Sequence, residues 1–121
     1  MIIVDSSVWI AHLKKMNTGL VNLLQDNNLL IHPFIIGELA CGSMKNREEF
    51  LTLLSLLPTC SQASHDEVMG FIDKEKIYGK GIGWVDANLL VSARLSKGKI
   101  WTLDKRLQAL CVKFHLSVTA P

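Results

Sequence analysis

Short apolar runs that alternate with helical patterns constrain the fold of this chain more than any other feature. The runs are rich in leucine and β-branched residues, and no Asn-Gly or Asp-Gly pair marks a hairpin turn. Wholly apolar strands are typical of a parallel sheet with both faces covered by helices. We therefore predict an α/β fold, a three-layer α/β/α sandwich with a small, mostly parallel sheet. Its strands are expected at Ile2–Asp5, Leu29–His32 and Lys99–Leu103, and less clearly at Leu56–Thr59 and Leu116–Thr119.

Helix signals lie between these runs. Ser6 or Ser7 and Thr18 are expected to be N-caps, and Ser64 with Glu67 has the spacing of a capping box. The segment 79–83 is glycine-rich and breaks the helix that follows Ser64. Helices are predicted over 6–13, 18–26, 33–42, 85–95 and 104–114, and from residues 46 and 64. Buried apolar faces are expected at Phe50, Leu51, Leu53 and Leu54 in one helix and at Val68, Phe71, Ile72 and Tyr78 in another.

Length and composition restrict the class of protein. The chain has 121 residues, of which 49% are hydrophobic and 20% are charged, so we expect a single folded domain over 1–121 and exclude disorder. The net charge of +2 permits binding to nucleic acid without demanding it. No apolar run is long enough to cross a bilayer, and the start lacks the basic segment of a secretion signal, which favours a cytoplasmic location.

The cysteines do not indicate a metal or disulfide site. Cys41, Cys60 and Cys111 are odd in number, far apart and without a CxxC pair. We interpret them as thiols in a reducing compartment.

Four of the eleven acids stand in apolar surroundings: Asp5, Glu38, Asp86 and Asp104. Asp5 and Asp104 each follow a predicted strand, and ligands bind at the carboxyl ends of parallel strands. Carboxylates that converge there raise one another's pKa unless a cation neutralises them. Hard divalent cations, Mg²⁺ or Mn²⁺, prefer such oxygen ligands, and no histidine or cysteine cluster offers a site to a softer metal.

Each acid also has a purely structural explanation. Asp86 and Asp104 could be helix N-caps, Asp5 could bind the turn after its strand, and Glu38 could pair with a lysine. Taken singly, the N-cap explanation is the better one for Asp86 and Asp104. The four together, in one small fold, favour a shared metal site.

The order and spacing of these acids resemble the PIN domains, and in particular the VapC-type ribonuclease toxins of toxin–antitoxin pairs. The resemblance covers essentially the whole chain. It is carried by Ile3-Val4-Asp5-Ser6-Ser7, Glu38-Leu39, Gly83-Trp84-Val85-Asp86-Ala87 and Thr102-Leu103-Asp104-Lys105-Arg106-Leu107.

The resemblance implies a metal-dependent endoribonuclease with an acidic pocket for Mg²⁺ or Mn²⁺. It implies transfer RNA or messenger RNA as substrate, a homodimer, and a cognate antitoxin that occupies the pocket. Carried over by position, the metal-binding and catalytic acids are Asp5, Glu38, Asp86 and Asp104, and the assisting hydroxyls are Thr102 and Ser6 or Ser7. Some members carry a further acid after the last one, where this chain has Lys105, Arg106 and Leu107, so both one-metal and two-metal catalysis stay open.

Two other functions, a phospho-receiver and a non-catalytic binding module, are alternatives to the ribonuclease. A phospho-receiver domain would need an acidic pair after the first strand, where this chain has only Asp5. A non-catalytic PIN-like binding module would be indicated by the loss of an acid, and all four are present. Among the tryptophans near the acids, Trp84 beside the glycine loop is the candidate for base stacking, while Trp9 and Trp101 are expected in the core.

Overall fold

The computed structural model describes residues 1–118, and these form a parallel sheet surrounded by helices. The elements in chain order are β1 (Ile2–Val4), α1 (Ser6–Lys14), α2 (Thr18–Gln25), β2 (Leu29–Leu30), α3 (Pro33–Ala40), α4 (Arg47–Ser55), α5 (His65–Glu75), α6 (Trp84–Leu95), β3 (Lys99–Trp101) and α7 (Lys105–Lys113).

The sheet has the strand order β2-β1-β3, and both pairings are parallel. Ile3 of β1 is paired with Leu30 on one side and with Ile100 on the other. All three residues of β1 are buried, so helices cover both faces of the central strand. The predicted α/β class is confirmed by this topology.

The predicted strands are shorter than expected: β2 ends at Leu30 and β3 at Trp101, and the two less clear strands are reduced to single bridges. The segment 56–59 contributes only the bridge between Ile31 and Thr59, because its first residues complete the last turn of α4. The segment 116–119 contributes the bridge between Ile100 and Ser117, while Thr119 lies outside the described residues. The sheet is therefore three strands wide with one added bridge at each edge.

The N-caps of the helices agree with the predicted ones in part. Ser64 and Glu67 form the expected capping box. The N-cap of α2 is Asn17, whose side chain accepts a hydrogen bond from the Leu20 amide, so the assignment of Thr18 was wrong. The N-cap of α1 is Asp5, and both serines considered for that position lie inside the helix.

Two residues assigned to buried faces are exposed. Tyr78 lies beyond the end of α5 with 62% of its surface exposed, and Leu53 points outward on α4 with 57% exposed. Leu54, Val68 and Phe71 are buried, as predicted. The remaining positions, Phe50, Leu51 and Ile72, are partly buried and pack against the core.

The core is centred on α6, which is buried continuously from Ala87 to Ala93 and contacts β1 and β3. Trp9 and Trp101 are buried, as expected, whereas Trp84 is partly exposed. Cys41, Cys60 and Cys111 are free thiols. Within residues 1–118, no helix combines the length and hydropathy needed to cross a membrane.

Candidate active site

The carboxyl ends of β1 and β3 bring two of the predicted acids to the same edge of the sheet. Val4 pairs with Trp101, and the amide of Asp5 donates a hydrogen bond of 2.9 Å to the Trp101 carbonyl. Asp104 follows three residues after Trp101. The parallel pairing thus places these two acids beyond adjacent strand ends, the usual position of a ligand site in such sheets.

The Asp5 carboxylate is buried and held by two hydroxyl groups. Only 5% of Asp5 is exposed. The hydroxyls of Ser7 and Thr102 each donate a hydrogen bond of 2.7 Å to Oδ2 of Asp5. Since both bind the same oxygen, Oδ1 is left for a ligand.

The same hydroxyls link the carboxyl ends of the two strands. The Ser7 hydroxyl oxygen accepts a hydrogen bond of 3.0 Å from the Leu103 amide, and that of Thr102 accepts one of 3.0 Å from the Asp104 amide. Asp5 is therefore oriented by groups from both strand ends. Each hydroxyl is both donor and acceptor, so neither can rotate without losing a bond.

Asp104 is the N-cap of α7, as its structural explanation predicted. Its Oδ1 accepts a hydrogen bond of 2.9 Å from the Leu107 amide. This bond occupies one carboxylate oxygen of an exposed side chain and leaves the other free. Capping and ligand binding are therefore compatible at Asp104.

Asp86 lies in the first turn of α6 but is not its N-cap, which is Gly83. Its Oδ2 accepts a long hydrogen bond of 3.4 Å from the Gly83 amide. Burial raises the pKa of Asp86, and the charges of Asp5 and Asp104 raise it further, while the Gly83 amide acts in the opposite direction.

Glu38 approaches the same region from α3, which begins at Pro33 immediately after β2. Burial raises the pKa of Glu38, and the charges of Asp5 and Asp86 add to the increase. The hydroxyl of Ser6 opposes it by stabilising the ionised carboxylate.

Each of the four acids lies within electrostatic reach of at least one other. Asp5 acts on both Glu38 and Asp86, and Asp104 acts on Asp86. Of the residues that the structure describes, no lysine, arginine or histidine contributes to either shift. The site therefore carries an excess of negative charge that the protein itself does not neutralise.

Cys111 of α7 is buried within electrostatic reach of Asp5 and Asp86. Burial, with Asp5 and Asp86, raises the pKa of its thiol to about 12. A thiol with such a pKa stays neutral and is a poor nucleophile. Cys111 thus contributes packing to the site and no chemistry.

The donor set fits a hard divalent cation held partly through water. All four side chains offer oxygen, the ligand atom that such cations prefer. Across residues 1–118, no three acids, histidines or cysteines come close enough to bind one ion directly. Mg²⁺ commonly binds one or two carboxylates and keeps several waters, so this spacing is compatible with it.

The two candidate serines have different positions. Ser7 binds Asp5 directly, whereas Ser6, the serine selected from the sequence, acts on Glu38. Nothing in the sequence separates two adjacent serines, because the turn between β1 and α1 decides which hydroxyl meets the carboxylate. Ser7, which the sequence offered as the alternative to Ser6, is therefore the serine that binds Asp5.

A cleft of about 490 Å³ adjoins Glu38 between α1 and the end of α3. It is lined mainly by apolar groups, including Ile10 and Leu13, with Lys14 and Lys45 among its residues. Glu38 thus borders an open surface that also carries positive charge.

Comparison with known proteins shows which family and which fold the chain is similar to. Residues 2–113 match the family model of the PIN domain. The chain is 46% identical over 114 residues to Ribonuclease VapC32 of Mycobacterium tuberculosis, from strains CDC 1551 / Oshkosh and ATCC 25618 / H37Rv, covering 93% of this chain and 92% of each relative. Its fold is similar to the crystal structure of PAE2754 from Pyrobaculum aerophilum, with a TM-score of 0.61 and 18% identity over 94% of this chain and 88% of that chain.

Proposed function

Since the chain belongs to the PIN-domain family, we propose that it is a metal-dependent endoribonuclease and the toxin of a toxin–antitoxin pair. The observation that carries the proposal is the coupling of Asp5, Glu38, Asp86 and Asp104, four acids from separate parts of the chain, in a site with excess negative charge. A nuclease that binds a cation needs such a site, while a module that only binds proteins does not.

The cation is Mg²⁺ or Mn²⁺, and the residues that would hold it, directly or through coordinated water, are Asp5 through Oδ1, Asp86, Asp104 and Glu38. When bound, it lowers the pKa of a coordinated water and neutralises charge on the phosphate. The number of ions is left open, because Lys105, Arg106 and Leu107 stand where some relatives have another acid.

The protein supplies orientation and proton acceptance. Ser7 and Thr102 hold Asp5 in one orientation, so its free oxygen is positioned before any ligand arrives. Glu38 and Asp86 are the carboxylates available to accept the proton of the attacking water. The water oxygen forms a bond to phosphorus as the bond from phosphorus to the 3′ oxygen breaks, and that oxygen takes a proton from solvent. The products carry 5′-phosphate and 3′-hydroxyl ends.

The substrate is RNA, either transfer RNA or messenger RNA. Lys14 and Lys45 in the cleft beside Glu38 supply positive charge for its phosphates. Each phosphate contact to a single strand is expected to reduce log affinity by about 0.7 per log unit of salt.

We also propose a domain extent, an oligomeric state and a protein partner for the chain. The chain is a single PIN-like domain over 1–121 that works as a homodimer in the cytoplasm. Its partner is a cognate antitoxin that covers the acids. This pairing explains how a cell tolerates a nuclease with an open cleft.

The proposal is tested by incubating the purified chain with transfer RNA and messenger RNA in Mg²⁺ or Mn²⁺, with EDTA as the control. We expect endonucleolytic fragments only with the metal, and ligation of adapters should show 5′-phosphate ends. Absence of cleavage with both metals, or cleavage that EDTA leaves unchanged, would contradict the proposal.

A further inference from the structure

An apolar cavity of about 160 Å³ opens at the start of α6, beside the acids but separate from them. It is enclosed by the end of α5, the segment that follows it, and the first turn of α6. Ile77 at its base is buried, and Tyr78 and Trp84 line its walls. A cavity of about 150 Å³ is enough to hold benzene, whereas drug-sized ligands need about 300 Å³ or more. The cavity thus suits one flat ring.

Both aromatic residues of the cavity are exposed, in contrast to the other tryptophans. Trp84 is 39% exposed and Tyr78 is 62% exposed, while Trp9 and Trp101 are buried. Large aromatic side chains normally bury most of their surface, because they contribute strongly to the core. Here two aromatic rings line one apolar cavity and remain accessible from solvent, so a ligand can stack on them.

The Trp84 indole is held in place from outside the cavity. The ring of His65 packs on it with 5.0 Å between the ring centroids and 44° between the planes. His65 does not line the cavity, so the part of the indole that faces it stays available. The side chain is therefore positioned in advance of binding, which reduces the entropic cost of stacking a ligand.

The cavity lies close to the proposed scissile phosphate. Trp84 and Asp86 share the first turn of α6, and helix geometry places their Cα atoms about 5.5 Å apart. Residues two apart on a helix point to different sides, so the cavity and the acids flank the start of α6. A strand that has its phosphate at the acids and passes round the start of this helix therefore brings a base to Trp84 within a few nucleotides.

Basic side chains lie on the loop beside the cavity and shortly after Asp104. Lys80 is exposed on the loop between Tyr78 and Trp84. The side chain of Arg106 lies directly on Gly81 of the same loop, since a Cβ there would be 2.7 Å from its Cδ and Nη1 atoms. Arg106 follows Asp104 by two residues. This arrangement is complementary to a strand that carries a phosphate beside each base.

From these observations we infer that Tyr78 and Trp84 form a subsite for one nucleobase of the RNA, next to the scissile phosphate. The inference rests on the proposed ribonuclease function and adds to it a determinant of cleavage position. Stacking tolerates any base, so the small volume of the cavity sets the preference among bases. Arg106 and Lys80 bind the phosphates on either side of that base.

The test measures binding of a fluorescein-labelled, single-stranded oligoribonucleotide by anisotropy, in Mg²⁺ and in an Asp5→Asn background that prevents cleavage. Adding Trp84→Leu should weaken binding by about 5- to 150-fold, and Trp84→Phe, which keeps a ring, should weaken it much less. Leu53→Ala is the control, because Leu53 is 57% exposed on α4 and lines neither the cavity nor the cleft beside Glu38, and it should leave binding unchanged. Thermal unfolding of every variant checks that the fold is retained.

Abasic substitutions in the oligonucleotide locate the base. One abasic position should remove the effect of Trp84→Leu, and the others should not. If Trp84→Leu binds RNA as tightly as its parent, the inference is overturned while the proposed function stands; a cavity that receives a side chain of a protein partner would give this result. If the parent does not bind RNA at all, the proposed function fails and the inference fails with it.

Discussion

The hydroxyl of Thr102 donates a hydrogen bond of 2.7 Å to the carboxylate of Asp5, although 97 residues separate the two in the chain. The bond joins the carboxyl ends of β1 and β3, and the same hydroxyl accepts the amide of Asp104. One buried side chain thus orients the central acid and connects it to a second one.

Replacement of Thr102 by valine keeps the shape of the side chain and removes the hydroxyl. Because Thr102 is buried and its partner is charged, we expect a loss of about 1.5–3 kcal/mol in the free energy of unfolding, measured with urea. RNA cleavage should decrease as well. Thr102→Ser retains the hydroxyl and should preserve most of both properties. Equal stability of the valine and serine variants would show that this bond does not stabilise the fold.

Replacement of Ser7 and of Ser6 by alanine separates the two hydroxyls. Ser7→Ala removes a donor to Asp5 and the acceptor of the Leu103 amide, so kcat/KM for RNA cleavage should fall and stability should decrease by about 1 kcal/mol. Ser6→Ala leaves Asp5 oriented and acts only on Glu38. A larger loss of cleavage in Ser6→Ala than in Ser7→Ala would reverse the roles assigned to them.

The raised pKa of Asp86 makes stability depend on pH. In the folded state Asp86 holds its proton to a higher pH than in the unfolded chain, where its pKa is about 3.9. Stability without metal should therefore decrease as pH rises from about 4 through the raised pKa, and Asp86→Asn should show a smaller decrease, since Glu38 with its own raised pKa still contributes. Thermal unfolding of both proteins in EDTA across pH 4–8 measures the difference.

Addition of Mg²⁺ at neutral pH should raise the melting temperature of the unaltered chain more than that of Asp86→Asn. The reason is that the cation neutralises the acids whose repulsion lowers the stability of the fold. If Asp86→Asn is no more stable than the unaltered chain in EDTA, and Mg²⁺ raises both melting temperatures equally, then Asp86 lies outside the shared site.

Gly79 and Gly81 form a matched pair in the loop before α6. Both have positive φ, +69° and +79°, but only a Cβ at Gly81 meets another residue, the side chain of Arg106. Gly79→Ala should cost about 1 kcal/mol through backbone strain. Gly81→Ala should cost more and should also weaken RNA binding, since Arg106 is displaced. Equal losses in urea unfolding and binding would mean that Arg106 moves away without cost.

The sequence was sufficient to predict the sheet and the positions of its acids for a physical reason. Runs such as Ile2–Val4 are wholly apolar, so they must be buried, and parallel strands place Asp5 and Asp104 at one edge. The capping box of Ser64 was equally predictable, because its hydrogen bonds join residues that are only three positions apart in the chain.

The details that sequence could not settle depend on contacts between distant segments. The turn after β1 decides that Ser7, rather than Ser6, binds Asp5. The contact of Arg106 with Gly81 joins two segments that no local pattern connects. Tyr78 matched a helical period, yet α5 ends at Glu75 and leaves its ring exposed beside Trp84.

The cleavage rate of the rigorously purified Asp5→Asn, Asp104→Asn double variant in Mn²⁺ tests most directly whether these acids perform the hydrolysis. Asp26→Asn, at an exposed acid that ends α2, is the control and should cleave RNA like the unaltered chain. We expect the double variant to fold normally and to show no cleavage above a protein-free background. Cleavage by the folded double variant at the rate of the control would contradict the account.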